Sequence, residues 1–376
     1  MKESYKRVVK RLSAVAAALG CACLLAGHVS LEDLSGFGRT AALLSVGMMQ
    51  PAGGAEALSE RLDRAPDKAA GATTGTTTAG RTETTTSATV QSTGTSSETT
   101  PPSTGSTTIP TRGPKGGVVK ELMMSLGSNP VQGVALKNSS GKTFDLNKEI
   151  GIKPNITITD TKEPQVLIVH THTTERYMRY YAGYYNEGDG GRSQDESENV
   201  CAIGEVIAGQ LRAAGLTVVH DTTLHDYPKY TGAYTRSEET VKKNLEKYPS
   251  IQVVLDVHRD GIMIDSTTRA KPTVTINGKK AAQSMIIVGA VSTTAQPHPN
   301  WQDNFHFALD WQKTAANAYE GLMRPLSVVA SRYNQHLSRG YLLVEVGSEA
   351  NTLEEAVYSA ELLGKTLGEV LKTYKA

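Results

Sequence analysis

The chain has 376 residues, enough for two or three domains by length alone, but about a quarter of it is too polar or too simple to build a core. Lys+Arg (39) and Asp+Glu (38) nearly cancel, so no bulk field exists to hold a nucleic acid, and that partner is excluded. Of the 3 cysteines, Cys21 and Cys23 lie in an apolar stretch and only Cys201 falls in the globular part. With no internal bridge, an exported domain must fold on its hydrophobic core, and Cys201 reads as a packed, inert thiol.

Lys2, Lys6, Arg7, Lys10 and Arg11 precede residues 12–31, a stretch with no formal charge. At ~1.5 Å per residue a helix of that length spans roughly the 30 Å of a bilayer core. The basic flank keeps its end in the cytoplasm and sends the rest across. Residues 1–33 are therefore expected to be a cytoplasmic tip and an uncleaved membrane anchor, with the catalytic domain outside the cell membrane. No small-x-small cleavage site follows, as a signal peptide would require. Residues 34–117 read as a flexible, disordered linker, which from about residue 69 is Thr, Ser, Gly and Pro. Such a composition has too little apolar surface to offset the entropy of ordering it. About 50 residues of this kind reach roughly 40 Å.

Residues 118–164 alternate short polar and apolar runs and are expected to form a small β-rich lead-in, with a turn at Asn138-Ser139-Ser140-Gly141. From 165 to 376 strands and helices alternate. Strands are expected at 166–169, 216–219, 253–257, 285–288 and 342–346, and helices at 198–214, 237–248, 305–322 and 352–374. Asn277-Gly278 is the strongest hairpin signal and places an inserted hairpin around 272–287. Strands separated by helices of this length imply an α/β fold with a mostly parallel, doubly wound sheet.

In such a sheet the chemistry lies outside the carboxyl ends of the strands. One apolar run enters His170-Thr171-His172, a second enters His258-Arg259-Asp260, and a third reaches Glu345. Imidazole with carboxylate is the ligand and base set of a catalytic zinc site. His170 and His172 would share a face if the strand continued, and either is a candidate ligand. Glu198 opens the first long helix and is a candidate ligand, with Glu196 as its rival. Acids also favour a first helical turn through the helix dipole, which alone would explain this cluster. His258 is a candidate ligand, and Arg259 and Asp260 could support it from behind or pair with each other. Glu345, flanked by apolar residues, must be paired, protonated or functional, since burying a lone carboxylate costs several kcal/mol. A general base beside an activated water fits it. Tyr177, Tyr180, Tyr181, Tyr184 and Tyr185, following Glu175, are either packing or the wall of a groove for sugar or peptide.

Three motifs together resemble the stage II sporulation protein P family: Ile168-Val169-His170-Thr171-His172-Thr173-Thr174-Glu175-Arg176-Tyr177, Asp256-Val257-His258-Arg259-Asp260, and Val344-Glu345-Val346-Gly347-Ser348-Glu349-Ala350-Asn351. More distantly the constellation is similar to the zinc-dependent N-acetylmuramoyl-L-alanine amidases. The likeness spans about 120–376 and implies an amidase-like catalytic domain over 165–376. It implies zinc (Zn2+) held by His172, Glu198 and His258, with Glu345 as the catalytic glutamate. His170, Glu175, Tyr177, Arg259 and Asp260 are then left for substrate or for supporting the ligands. The amidases show Gly-His-Gly-Gly at the first position, whereas here His170 precedes His172 and no glycines follow, so both histidines stay in play. The implied reaction cleaves the amide between N-acetylmuramic acid and L-alanine in peptidoglycan, and also peptide cross-links, during forespore engulfment. The implied partners are a glycan-cleaving membrane protein of the stage II sporulation protein D type and a polytopic one of the M type. A non-catalytic wall-binding or assembly subunit is the alternative from another class.

Overall fold

The computed structural model describes residues 115–294 and 296–376. The expected anchor, and the expected linker up to residue 114, lie outside the described residues. Among the described residues no helix is long and apolar enough to cross a membrane.

A seven-stranded sheet forms the body. In spatial order it runs β2 (Leu136–Asn138), β11 (Leu326–Val329), β10 (Ser284–Gly289), β12 (Gly340–Ser348), β6 (Val253–Asp260), β3 (Val166–Val169) and β5 (Val218–His220). Every neighbouring pair is parallel except β10 with β12, so the mostly parallel sheet expected from the sequence forms. The central strands are buried on both faces, which is why they read as unbroken apolar runs. Side chains alternate between two cores. Val166 and Ile168 of β3, Leu255 and Val257 of β6, and Leu342 and Val344 of β12 share one core with Ile203, Ile207, Trp311, Leu363 and Leu367. Those come from α2 (Val200–Ala213), α4 (Trp301–Ala318) and α5 (Leu353–Lys372). Leu167, Val169, Val254 and Tyr341 face the opposite way, against Val241 of α3 (Ala233–Lys247).

The helix ends follow local chemistry. The Asn199 side chain caps α2 by accepting from the Cys201 amide, and Gly215, at φ 90°, lets the chain leave it. Thr352 and Glu355 close a capping box on α5. The 118–164 stretch does not stand apart. Its α1 (Leu146–Glu149) is a single turn, β2 extends the main sheet beside β11, and β1 (Lys115–Leu122) joins a second, smaller sheet. There β1 lies between β4 (Tyr184–Asn186) and β8 (Thr268–Ile276), and β8 also pairs with β7 (Met263–Asp265) and β9 (Lys279–Ala282). Isolated short strands are unstable in water, so each takes its partner from the larger domain. The β8–β9 hairpin turns at Asn277 and Gly278, both at positive φ (49° and 77°), as the dipeptide predicts.

Candidate metal centre

His172, Glu175 and His258 converge, with one ligand atom from each lying within 4.8 Å of the others. His172 Nδ1 stands 3.6 Å from Glu175 Oε1, and His258 Nδ1 stands 3.3 Å from Glu175 Oε2. The strand placement explains His258. It lies on β6 in register with Glu345 of β12, so both side chains leave the same face of adjacent parallel strands. Both strands continue past these residues, to Asp260 and Ser348, rather than ending on them as the sequence suggested. His172 and Glu175 come from a tight turn directly after β3, closed by the Glu175 amide donating to the His172 carbonyl at 3.0 Å.

The centre is sealed from water. His172, Glu175 and Glu345 have no exposed surface and His258 has 1%. The His172 ring stacks on Tyr230 at 4.7 Å and 20°, and the Arg192 guanidinium lies 4.5 Å from the same Tyr230 ring. Six buried polar atoms here have no hydrogen-bond partner: both His172 nitrogens, His258 Nδ1, Glu175 Oε1 and both Glu345 oxygens. Orphaned buried polar atoms are rare and costly, and several facing one point call for a shared partner. Ligand atoms ~2.1 Å from a common centre at the tetrahedral angle stand about 3.4 Å apart, close to the spacings found. Two imidazoles and one carboxylate are a donor set that suits zinc and leaves one position open. The residues present fit the ion.

The electrostatics agree. Burial and the neighbouring His258 and Arg192 charges push His172 down to about 3, so it stays neutral with a lone pair to give. Burial works against a charge on Glu175, yet Arg259 and His258 hold its carboxyl well below the usual range. Burial also opposes charging His258, but Asp256 and Glu175 outweigh it and raise the imidazole well above its usual value. A proton held among these acceptors marks a place where a cation would sit in its stead. Glu345 goes the other way: burial and then Asp260 lift its carboxyl far above the ordinary range.

The remaining candidates fall elsewhere. Glu198, expected as a ligand, is not in the cluster of His172, Glu175 and His258. It immediately precedes the α2 cap and is bound to Arg179 Nε at 2.7 Å and the Ser193 hydroxyl at 2.7 Å. Glu175 is the carboxylate that stands with the two histidines. Glu196 is likewise absent from the cluster. His170 points into the opposite core, donating from Nδ1 to the Val257 carbonyl at 2.8 Å, with Nε2 2.9 Å from Nε2 of His220. Gly204 makes that pair possible, since a Cβ there would stand 2.7 Å from the His170 and His220 rings.

Arg259 gives its backbone amide to Glu175 Oε2 at 3.2 Å and its guanidinium to the Gly191 carbonyl at 2.8 Å. Asp260 pairs with Arg324 at 2.8 Å, not with Arg259. Tyr177 is a buried strut whose hydroxyl donates to the Val346 carbonyl at 2.9 Å. Tyr184 and Tyr185 belong to β4, and with Tyr180 they line a surface cavity of about 360 Å³ that also takes in Arg179 and Glu198. Burial pushes the Cys201 thiol up to about 12, consistent with an inert packed group. Asp256 went unnoticed in the sequence, although it accepts from His258 Nε2 at 2.8 Å. The signal was Asp-x-His on a strand, a spacing that puts both side chains on one face.

The stage II sporulation protein P family model matches residues 69–368. The stage II sporulation protein P of Bacillus subtilis (strain 168) is 28% identical over 216 residues, covering 54% of this chain and 50% of that protein. The chain thus spans about half the length of the curated relative it matches. Among solved structures, an N-acetylmuramyl-L-alanine amidase from Mycobacterium smegmatis is 12% identical with a TM-score of 0.33, over 58% of this chain and 99% of that one. An N-acetylmuramoyl-L-alanine amidase from Clostridium difficile 630 is 12% identical with a TM-score of 0.34, over 57% of this chain and 97% of that one. The extent of the family match is decisive: this chain belongs to the stage II sporulation protein P family.

Proposed function

We propose that the chain is a zinc-dependent peptidoglycan hydrolase of sporulation that cleaves the amide between N-acetylmuramic acid and L-alanine, with peptide cross-links as a further target. The observation that carries this reading is the convergence of His172, Glu175 and His258 in one sealed centre, with Glu345 in register beside His258 and unpartnered atoms on all four residues. Family membership supplies the setting, forespore engulfment, and the apolar stretch at 12–31 supports an anchor that holds the domain outside the membrane. On the same reading its partners are the wall itself and the D-type and M-type membrane proteins of that stage.

His172, Glu175 and His258 would hold the metal. Zinc bound there would supply a water acidified toward ~7 and a Lewis acid for the scissile carbonyl. Glu345 acts as general base and then general acid, taking the proton of the attacking water and giving it to the leaving amine. Burial raises its proton affinity and a nearby positive charge lowers it again, so its working value lies between two opposed influences. Arg259 keeps Glu175 ionised, and thereby a ligand, from within a dry site.

The test is to incubate the full-length protein with isolated peptidoglycan and identify the products by mass spectrometry. New amino groups without new reducing ends, lost on chelation and restored by zinc, are expected. New reducing ends, or solubilisation indifferent to chelation, would remove the reading.

A further inference from the structure

Asp256 and His258 leave the same face of β6, two residues apart. His258 donates from Nε2 to Asp256 Oδ1 at 2.8 Å. Asp256 is itself immobilised, with no exposed surface. Its Oδ1 also accepts from the Thr171 amide at 2.8 Å, while Oδ2 accepts from the Thr171 hydroxyl at 2.6 Å and the Tyr341 hydroxyl at 3.5 Å. With the Nε2 hydrogen committed to Asp256, the lone pair of a neutral His258 falls on Nδ1. That nitrogen has no hydrogen-bond partner and faces Glu175 at 3.3 Å.

We propose that Asp256 is a positioning residue for the metal centre, holding His258 in its Nε2–H tautomer and aiming Nδ1 at the point shared with His172 and Glu175. With a cation between Nδ1 and Glu175, the opposite tautomer would set an imidazole lone pair against the Asp256 carboxylate and put a hydrogen in the place of the ion. Asp256 also grips the turn beyond β3, because Thr171 is chain neighbour to His172. One carboxylate therefore registers both histidine-bearing segments against each other. A ligating histidine tied to a carboxylate through its other nitrogen is more basic and better oriented, and loss of such a tie weakens metal affinity about 10–100-fold.

This inference rests on the metal reading above, and the experiment separates the two. Zinc affinity of the full-length protein is measured by competition with a chromophoric chelator, and which His258 nitrogen keeps its hydrogen in the zinc-loaded chain is read from nitrogen–proton NMR correlations. Asp256→Asn is expected to bind zinc about 10–100-fold more weakly and to lose the pure Nε2–H signature, while still unfolding cooperatively. Thr171→Val, which removes one of the bonds to Asp256, is expected to weaken binding less, and it serves if Asp256→Asn does not fold. Wild-type affinity in folded Asp256→Asn, or an Nδ1–H tautomer in the unsubstituted chain, overturns the role of Asp256 alone. A wild-type chain that takes up no zinc overturns the metal reading and this inference with it.

Discussion

His170 and His172 are two residues apart, equally buried, and end in opposite kinds of surroundings. His170 follows the parity of Val166 and Ile168 into the core against α2, where both its ring nitrogens are engaged by the Val257 carbonyl and His220. A carboxylate completes that side, with Glu205 Oε2 2.9 Å from His220 Nδ1. His172, in the turn, lies on the other face with neither nitrogen engaged, beside Glu175 Oε1 and His258 Nδ1, which also lack hydrogen-bond partners. One histidine satisfies the fold and the other waits for something the fold does not contain. Burial alone therefore does not mark a functional histidine. Burial without partners does, because an interior normally pairs every polar atom it encloses.

The widest separation between the two sides should come from His258→Ala. Zinc retention after dialysis, measured by elemental analysis, should fall by more than the ~100-fold that loss of a supporting residue costs, and wall hydrolysis should reach background. His170→Phe should leave zinc retention unchanged; if both variants lose zinc alike, the contrast between the two histidines is broken. Next in size, Glu345→Gln should keep the metal and reduce turbidity clearance of peptidoglycan by about 10²–10⁴-fold, the usual range for a general acid–base group. Retained activity would move the proton transfer elsewhere.

The structural side is read by stability. His170→Phe strands the Val257 carbonyl and His220, which should lower unfolding free energy by about 1–3 kcal/mol in denaturant titration. It also predicts a pH profile. Burial, reinforced by His220, pushes His170 down to about 3 from 6.5, so the unfolded chain takes up a proton that the folded one refuses. The stabilisation from this residue is complete above pH 6.5 and is lost as pH falls toward 3; His170→Phe should flatten that part of the profile. The smallest effect belongs to Glu198→Ala. Its partner Arg179 has a side chain 72% exposed, so solvent screening leaves the ion pair little effect on stability, and zinc affinity should not change. A drop in zinc affinity would restore Glu198 to the ligand set.

Much of this was legible in the residues. The β3 run, the Asn277-Gly278 turn, the Gly215 stop and the Thr352 cap each act within a few positions, and local chemistry decided them. The convergence of His258 and Glu345 was legible because parallel strands bring their carboxyl ends to one edge. The choice of acidic ligand was not. Glu198 follows the bland rule for acids near a helix start, and its ion pair with Arg179 depends on a loop whose path no periodicity reveals. Glu175 reaches the site because β3 stops at Val169 and the chain folds back through Thr171–Thr174. The same turn defeats the expectation that His170 and His172 share a face, which needed an extended strand through both. Asp256 was hidden inside an apolar strand, where a carboxylate looks like an interruption until its neighbours Thr171 and His258 are seen in space.

Tyr230 contacts both the His172 ring and the Arg192 guanidinium at the edge of the metal centre. Arg192 is further pinned by its ion pair with Asp226 at 2.5 Å, and Asp226 holds the Thr174 amide and hydroxyl at 3.1 and 2.7 Å. If the centre acts on a glycopeptide as proposed, its atoms have no surface to offer until this cover moves. On that reading, the free energy of the movement would add to the barrier for cleavage.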